Sequence, residues 1–77
     1  MPRAFILFNV ESGSEDNVLQ ELRRIDGIQE AYVSYGVYDL IARIKTDTME
    51  KLKDTISHQV RTIQKVRSSL TLIMMDE

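Results

Sequence analysis

The chain has 77 residues, 43% hydrophobic and 29% charged, with one His and no Cys, which describes one small globular domain with no room for a second. Disulfides are excluded, a structural zinc site needs more ligands than His58 supplies, and a formal net charge of -2 argues against neutralising nucleic-acid phosphates. A chain of this size buries only about 60% of the surface its unfolded form exposes, so oligomerisation is the expected source of additional stability. No stretch approaches the ~20 apolar residues of a membrane span. No small-residue cleavage site follows the short apolar start, so a cytoplasmic protein without membrane contact is expected.

Arg3 to Val10 (RAFILFNV) is short, rich in Phe and Ile, and stops at Glu11-Ser12-Gly13-Ser14, which predicts a buried strand and then a turn. From Ser14 to Ile25, the residues Val18, Leu19, Leu22 and Ile25 recur at helical spacing. Glu15 and Asp16 at the start and Arg23 and Arg24 at the end complement a helix dipole. Asp26-Gly27 ends that helix, with Gly27 in a left-handed conformation. Ile28 to Tyr35 and Tyr38 to Lys45 read as two strands joined in a hairpin around Gly36-Val37. A second helix starts near Asp47, where Asp47 and Glu50 have the spacing of a capping box, and its apolar stripe is Met49, Leu52, Ile56, Val60 and Ile63. Ser68 to Met75 alternates Ser69, Thr71 and Ile73 with Leu70, Leu72 and Met74 and makes a fourth strand.

The order β-α-β-β-α-β over residues 1–77 predicts an α+β, ferredoxin-like sandwich: a four-stranded antiparallel sheet with both helices on one face. The first strand sets Ala4, Ile6 and Phe8 against Phe5 and Leu7, and the third sets Leu40, Ala42 and Ile44 against Ile41. A sheet with one wet face alternates apolar and polar residues cleanly. The second face is therefore expected to meet another copy of the chain in a two-fold dimer.

Catalysis finds little support. His58 lies mid-helix between Ser57 and Gln59 with neither a Cys nor a carboxylate trio beside it, and Gly13, Gly27 and Gly36 are too far apart to form a phosphate loop. No enzyme, cofactor or metal site is expected. The acidic pairs Glu15-Asp16 and Asp76-Glu77 sit at a helix start and a chain end, where dipole complementarity or solvation explains them. One cluster differs: Tyr35-Gly36-Val37-Tyr38-Asp39, with hydroxyls on Ser68, Ser69 and Thr71. A hairpin glycine lets backbone N–H groups converge on a carboxylate, and Asp39 is a fixed anion for an ammonium. Together they offer the two complements that a free amino acid needs. The plain alternative is a turn in which Asp39 accepts local backbone hydrogen bonds.

Three stretches, Ile25-Asp26-Gly27-Ile28-Gln29-Glu30-Ala31-Tyr32-Val33, Gly36-Val37-Tyr38-Asp39-Leu40 and Val66-Arg67-Ser68-Ser69-Leu70-Thr71-Leu72-Ile73, make the chain resemble a known module. It is the effector-binding, or RAM, domain of the leucine-responsive/asparagine-regulator (Lrp/AsnC) transcription factors. The resemblance covers nearly the whole chain and, without a helix-turn-helix ahead of it, is to the stand-alone RAM proteins. It implies dimers paired through their sheets and assembled into octamer-like rings. It also implies free amino acids bound in clefts between dimers, near the hairpin loop of one subunit and the hydroxyls of a neighbour. Control of transcription would then pass through a full-length Lrp/AsnC regulator, with no direct contact to nucleic acid. By position, Gly36, Tyr38 and Asp39 match the hairpin motif, and Ser69 and Thr71 match the terminal-strand hydroxyls. Tyr35 stands where the family often has Thr or Ser, which implies a ring that narrows or covers the cleft, and Lys65 replaces the usual Gly before Val66. A small dimeric α+β barrel enzyme of the monooxygenase or isomerase kind is the alternative; a polar cavity between helices and sheet favours it, whereas a solid core there favours sensing.

Overall fold

Alternation along the first strand decides where the core lies. In a computed structural model, which describes residues 1–74, β1 (Arg3–Val10) turns Ala4, Ile6 and Phe8 completely away from solvent and leaves Phe5 and Leu7 half-buried on the other side. The chain continues through α1 (Glu15–Arg23), β2 (Ile28–Val33), β3 (Leu40–Lys45) and α2 (Met49–Thr55). α2 passes into a π-helical turn over Ile56–Val60, and β4 (Val66–Met74) follows. The strands form one sheet in the order β2-β3-β1-β4, and every neighbouring pair is antiparallel. This is the expected ferredoxin-like α+β sandwich.

Val18, Leu19 and Leu22 of α1 and Leu52, Ile56 and Val60 of the second helix bury themselves against Ala4, Ile6, Phe8, Ala31, Leu40, Ala42 and Ile44. The space between helices and sheet is thus filled with apolar side chains. Gly27 has the expected left-handed backbone, φ 104, but does not cap α1, which ends at Arg23 with Arg24 as its C-cap; it leads instead into β2, and its carbonyl accepts the Lys45 N–H at 2.9 Å. A Cβ there would meet that residue's own carbonyl oxygen at 3.4 Å, so both backbone conformation and space call for glycine.

Several boundaries differ from the sequence expectation. α1 is one turn shorter than Ser14 to Ile25, and Ser14, its N-cap, makes no side-chain capping bond. The second helix is capped by Thr48, whose hydroxyl accepts the Lys51 N–H at 3.1 Å, and not by Asp47. The extended backbone of Thr48, φ -132 and ψ 157, puts its hydroxyl over the third helical N–H, the geometry of an N-cap. The π-helical turn has its own reason in the apolar stripe. Residues four apart drift by about 40° per step on an α-helix, and a wider turn reverses that drift. Leu52, Ile56 and Val60 consequently all stay buried, with an Arg61 N–H to Ile56 carbonyl bond of 3.0 Å closing the turn. β4 begins two residues earlier than expected, at Val66; Met75, like the Asp76-Glu77 pair, lies outside the described residues.

The other sheet face carries two apolar or mixed rows. Tyr32, Ile41, Leu7 and Leu70 run across the strands in one, and Glu30, Arg43, Phe5 and Leu72 in the next, with Glu30 and Arg43 paired at 3.3 Å. Neither helix covers these rows, and Leu70 and Leu72 are 43% and 45% exposed.

Candidate functional site

The hairpin between β2 and β3 is longer than the tight turn expected around Gly36-Val37. Pairing ends at Ser34 and Asp39, where the Ser34 N–H donates to the Asp39 carbonyl at 2.7 Å, and 35–38 form the loop. Gly36 holds φ 133 with nothing within 4 Å of a would-be Cβ, so its backbone alone requires glycine. The tip holds two large apolar side chains in water: Tyr35 is 97% exposed and Val37 82%.

Asp39 is anchored from three directions. Its N–H donates to the Phe8 carbonyl at 2.8 Å, its carbonyl accepts from Ser34, and its Oδ2 accepts the Val10 N–H at 2.9 Å. Leu40 is the last β3 residue paired with β1, opposite Phe8. The carboxylate therefore stands where the next carbonyl of the β1–β3 ladder would be and satisfies the donor that the ladder leaves open. This is the plain alternative foreseen for Asp39, except that its partner is 29 residues away in sequence and not local. An ionised carboxylate has acceptor capacity beyond one hydrogen bond.

Beside Asp39 lies a groove of about 440 Å3 lined by Gly13, Glu15, Asp16, Val33, Ser34, Tyr35 and Asp39. It runs between the loop and the turn that leads into α1. Three of its lining residues are carboxylates and none is a cation, so its field favours positive groups. Sequence reasoning placed Tyr35 and Asp39 here but missed Gly13, Glu15, Asp16, Val33 and Ser34. The only signal for them was the Ser/Gly turn before α1, which brings that helix start up to the hairpin. Gly36 and Tyr38 belong to the same loop but do not line the groove, and Tyr38 is half-buried.

Ser69 and Thr71 stand apart from this groove within one chain. β4 pairs with β1 on the side opposite β3: Phe8 faces Leu40 across one edge and Ser69 across the other, and Thr71 faces Ile6. Two strand spacings put them about 10 Å from the β3 side, more than three times a single hydrogen-bonded contact. Both point to the helix side of the sheet; Ser69 is exposed and Thr71 half-buried. Ser68, on the opposite side, accepts from the Asn9 amide at 3.5 Å. A second hollow of about 410 Å3, at the far end of the sheet, holds Lys45 and Lys51 with Asp26 and Asp47, a balanced set of charges. Among the described residues there is no group of three or more His, Cys, Asp or Glu that could hold a metal ion, and no helix is long and apolar enough to cross a membrane.

The model of the Lrp/AsnC ligand binding domain matches residues 3–77. The chain belongs to the Lrp/AsnC family. It is 32% identical over 72 residues to the HTH-type transcriptional regulator FL11 of Pyrococcus furiosus, a match that covers 94% of this chain and 47% of that protein. The Regulatory protein AsnC of Haemophilus influenzae is 28% identical over 60 residues, 78% of this chain and 40% of its own length. The chain spans about half the length of the curated relatives it matches. Among solved structures, the hypothetical protein PHS023 of Pyrococcus horikoshii superposes with a TM-score of 0.93 at 36% identity, covering 100% of this chain and 93% of that one. FFRP-DM1 gives 0.91 at 36% identity, covering 97% and 100%. The chain thus corresponds to the ligand binding domain of the Lrp/AsnC family. Both helices among the described residues pack against the sheet.

Proposed function

We propose that this Lrp/AsnC domain is a non-catalytic sensor of a free amino acid, acting in the cytoplasm on the transcription of amino acid metabolism genes. The observation that carries this is Asp39, held by two hydrogen bonds of its own backbone and by one from the Val10 N–H to its carboxylate, at the edge of an acidic groove in a chain that matches a ligand-binding domain. Asp39 takes the α-ammonium, and the exposed ring of Tyr35 meets the ligand side chain. Gly36 leaves the loop N–H groups open to the α-carboxylate, while Tyr38 packs the loop. Ser69 and Thr71 lie across β1 from Asp39, so the hydroxyls that complete the carboxylate site come from a neighbouring copy. Sensing and assembly are then one event, because a ligand held between subunits favours the oligomer that forms its site.

The copies pair through the open sheet face, where Leu7, Leu70 and Leu72 await cover, and dimers associate further into an octamer-like ring. Regulation reaches DNA through a full-length Lrp/AsnC partner that co-assembles by the same face. The apolar filling between helices and sheet supports this function over the barrel-enzyme alternative, which a polar cavity there would favour. Calorimetric titration of the twenty amino acids into the wild-type chain, Asp39→Asn and Asp39→Ala tests it. One amino acid binds the wild type more tightly than about 1 mM, equivalent to roughly -4.1 kcal/mol, and both variants bind it at least tenfold more weakly. Equal binding by the variants removes Asp39 from the site, and no binding at all removes the sensing function.

A further inference from the structure

The hydrogen bond that anchors Asp39 also ties the base of the 35–38 loop to the end of β1, which faces the start of β4. Val10, whose N–H occupies the Asp39 carboxylate, is the residue at which β1 slips register: Asn9 faces Ser68, Val10 faces Val66, and Arg67 is the extra residue of a β-bulge. One residue further on, the Glu11 N–H donates to the Lys65 carbonyl at 2.9 Å. Lys65 holds φ 73, the left-handed region disfavoured for any residue with a Cβ. Loop carboxylate, strand end, bulge and strained residue are therefore joined through consecutive backbone groups.

We propose that this junction is a coupling device: the Asp39 carboxylate holds the β1–β4 junction closed, and a primary ammonium drawn to Asp39 loosens it. The proposal rests on the reading of the loop as the amino-acid site. A positive charge held at the carboxylate attracts it more strongly than the neutral Val10 N–H on Oδ2 does, and turns the group toward itself. The strand end then loses its lateral hold. Lys65 offers the give, since opening the Glu11–Lys65 bond lets its backbone leave the left-handed region and release its strain. The affected strand carries Ser69 and Thr71 on one side and Leu70 and Leu72 on the other. Ligand state at the loop thus reaches the surfaces through which copies meet, by a contiguous set of bonds with two arrangements.

Amide hydrogen exchange measured on the full chain tests the device without any ligand. Asp39→Ala removes the acceptor, whereas Asp39→Asn keeps a carbonyl for Val10 and drops the charge. Exchange at Val10, Glu11 and Ser68 rises about tenfold in Asp39→Ala relative to Ile6 and Ala42, as loss of one charge-assisted hydrogen bond implies, and rises far less in Asp39→Asn. A rise at Val10 alone overturns the coupling, and so does a uniform rise that includes Ile6 and Ala42. Lys65→Gly, which relieves the strain without touching Asp39, slows exchange at Glu11 and Ser68; unchanged exchange there also overturns it. Each of the twenty amino acids is then added to the wild type. One that binds and leaves Glu11 and Ser68 unaltered overturns the device, whereas absence of any binding removes the sensing function and leaves the ligand-free variants to decide the coupling by themselves.

Discussion

On the helix side of the sheet, Ala4, Ile6 and Phe8 have no exposed surface, while Phe5 and Leu7, interleaved with them, are only half-buried on the open side. The strand is the same and the residues are equally apolar. What differs is cover: α1 and the second helix supply Val18, Leu22, Leu52, Ile56 and Val60 to one face, and no helix among the described residues covers the other. Strand alternation thus sorts the apolar residues into two sets without saying which set is satisfied within the molecule. The Glu30–Arg43 pair on the open face adds a polar contact between β2 and β3 that the buried face lacks.

Mutations can break or sharpen this contrast. The largest effect is expected at Phe8, fully buried, where Phe8→Ala costs about 3–5 kcal/mol. Urea denaturation of Phe8→Ala beside Leu7→Ala checks it, and equal losses would mean that the open face is as well covered in solution as the helix face. Next comes Asp39→Ala, which leaves the Val10 N–H without its carboxylate at the end of β1 and costs about 1.5–3 kcal/mol in the same assay. Asp39→Asn, which keeps an acceptor, recovers part of that loss.

Support for the helix side also depends on where the second helix starts. Thr48→Ala costs about 1 kcal/mol of thermal stability through loss of its cap, and Asp47→Ala costs clearly less. Equal effects would return the cap to Asp47. Lys65→Gly acts in the opposite direction, raising stability by up to about 1 kcal/mol once the left-handed backbone carries no Cβ. Its thermal midpoint is the measure. The smallest stability change belongs to the open face: Leu70→Ser alters the stability of the single chain by no more than about 0.5 kcal/mol. The same substitution abolishes self-association in sedimentation velocity, and a wild-type chain that is already monomeric would show that the open rows need no partner copy.

Much of the fold was legible because its signals are local. Alternation in Arg3–Val10, helical spacing at Val18, Leu19 and Leu22, and a glycine at position 27 each act within a few residues. Thr48 was missed in favour of Asp47 because both carry a capping oxygen, and only the extended backbone at Thr48 selects between them. The π-helical turn escaped notice because a four-residue apolar spacing fits an α-helix nearly as well. At the candidate site, Tyr35, Gly36 and Asp39 were legible as a motif. The Val10 N–H that holds Asp39 was not, since a backbone donor leaves no trace in residue type. Glu15 and Asp16 were read only as helix-start acids, although the turn before α1 brings them into the groove beside Tyr35.

By itself the sequence determined the element order, the two-sided apolar strands and the loop motif of an Lrp/AsnC domain, because periodicity and turn chemistry are properties of neighbouring residues. The tertiary structure alone decided that β1 lies between Asp39 and the Ser69–Thr71 hydroxyls. It also committed the Asp39 carboxylate to the end of the ladder, and it left Lys65 in the left-handed region at φ 73. Strand order is set by which long-range pairings bury the most surface and satisfy the most backbone groups at once. That balance depends on residues far apart in the chain, so no local pattern could disclose it.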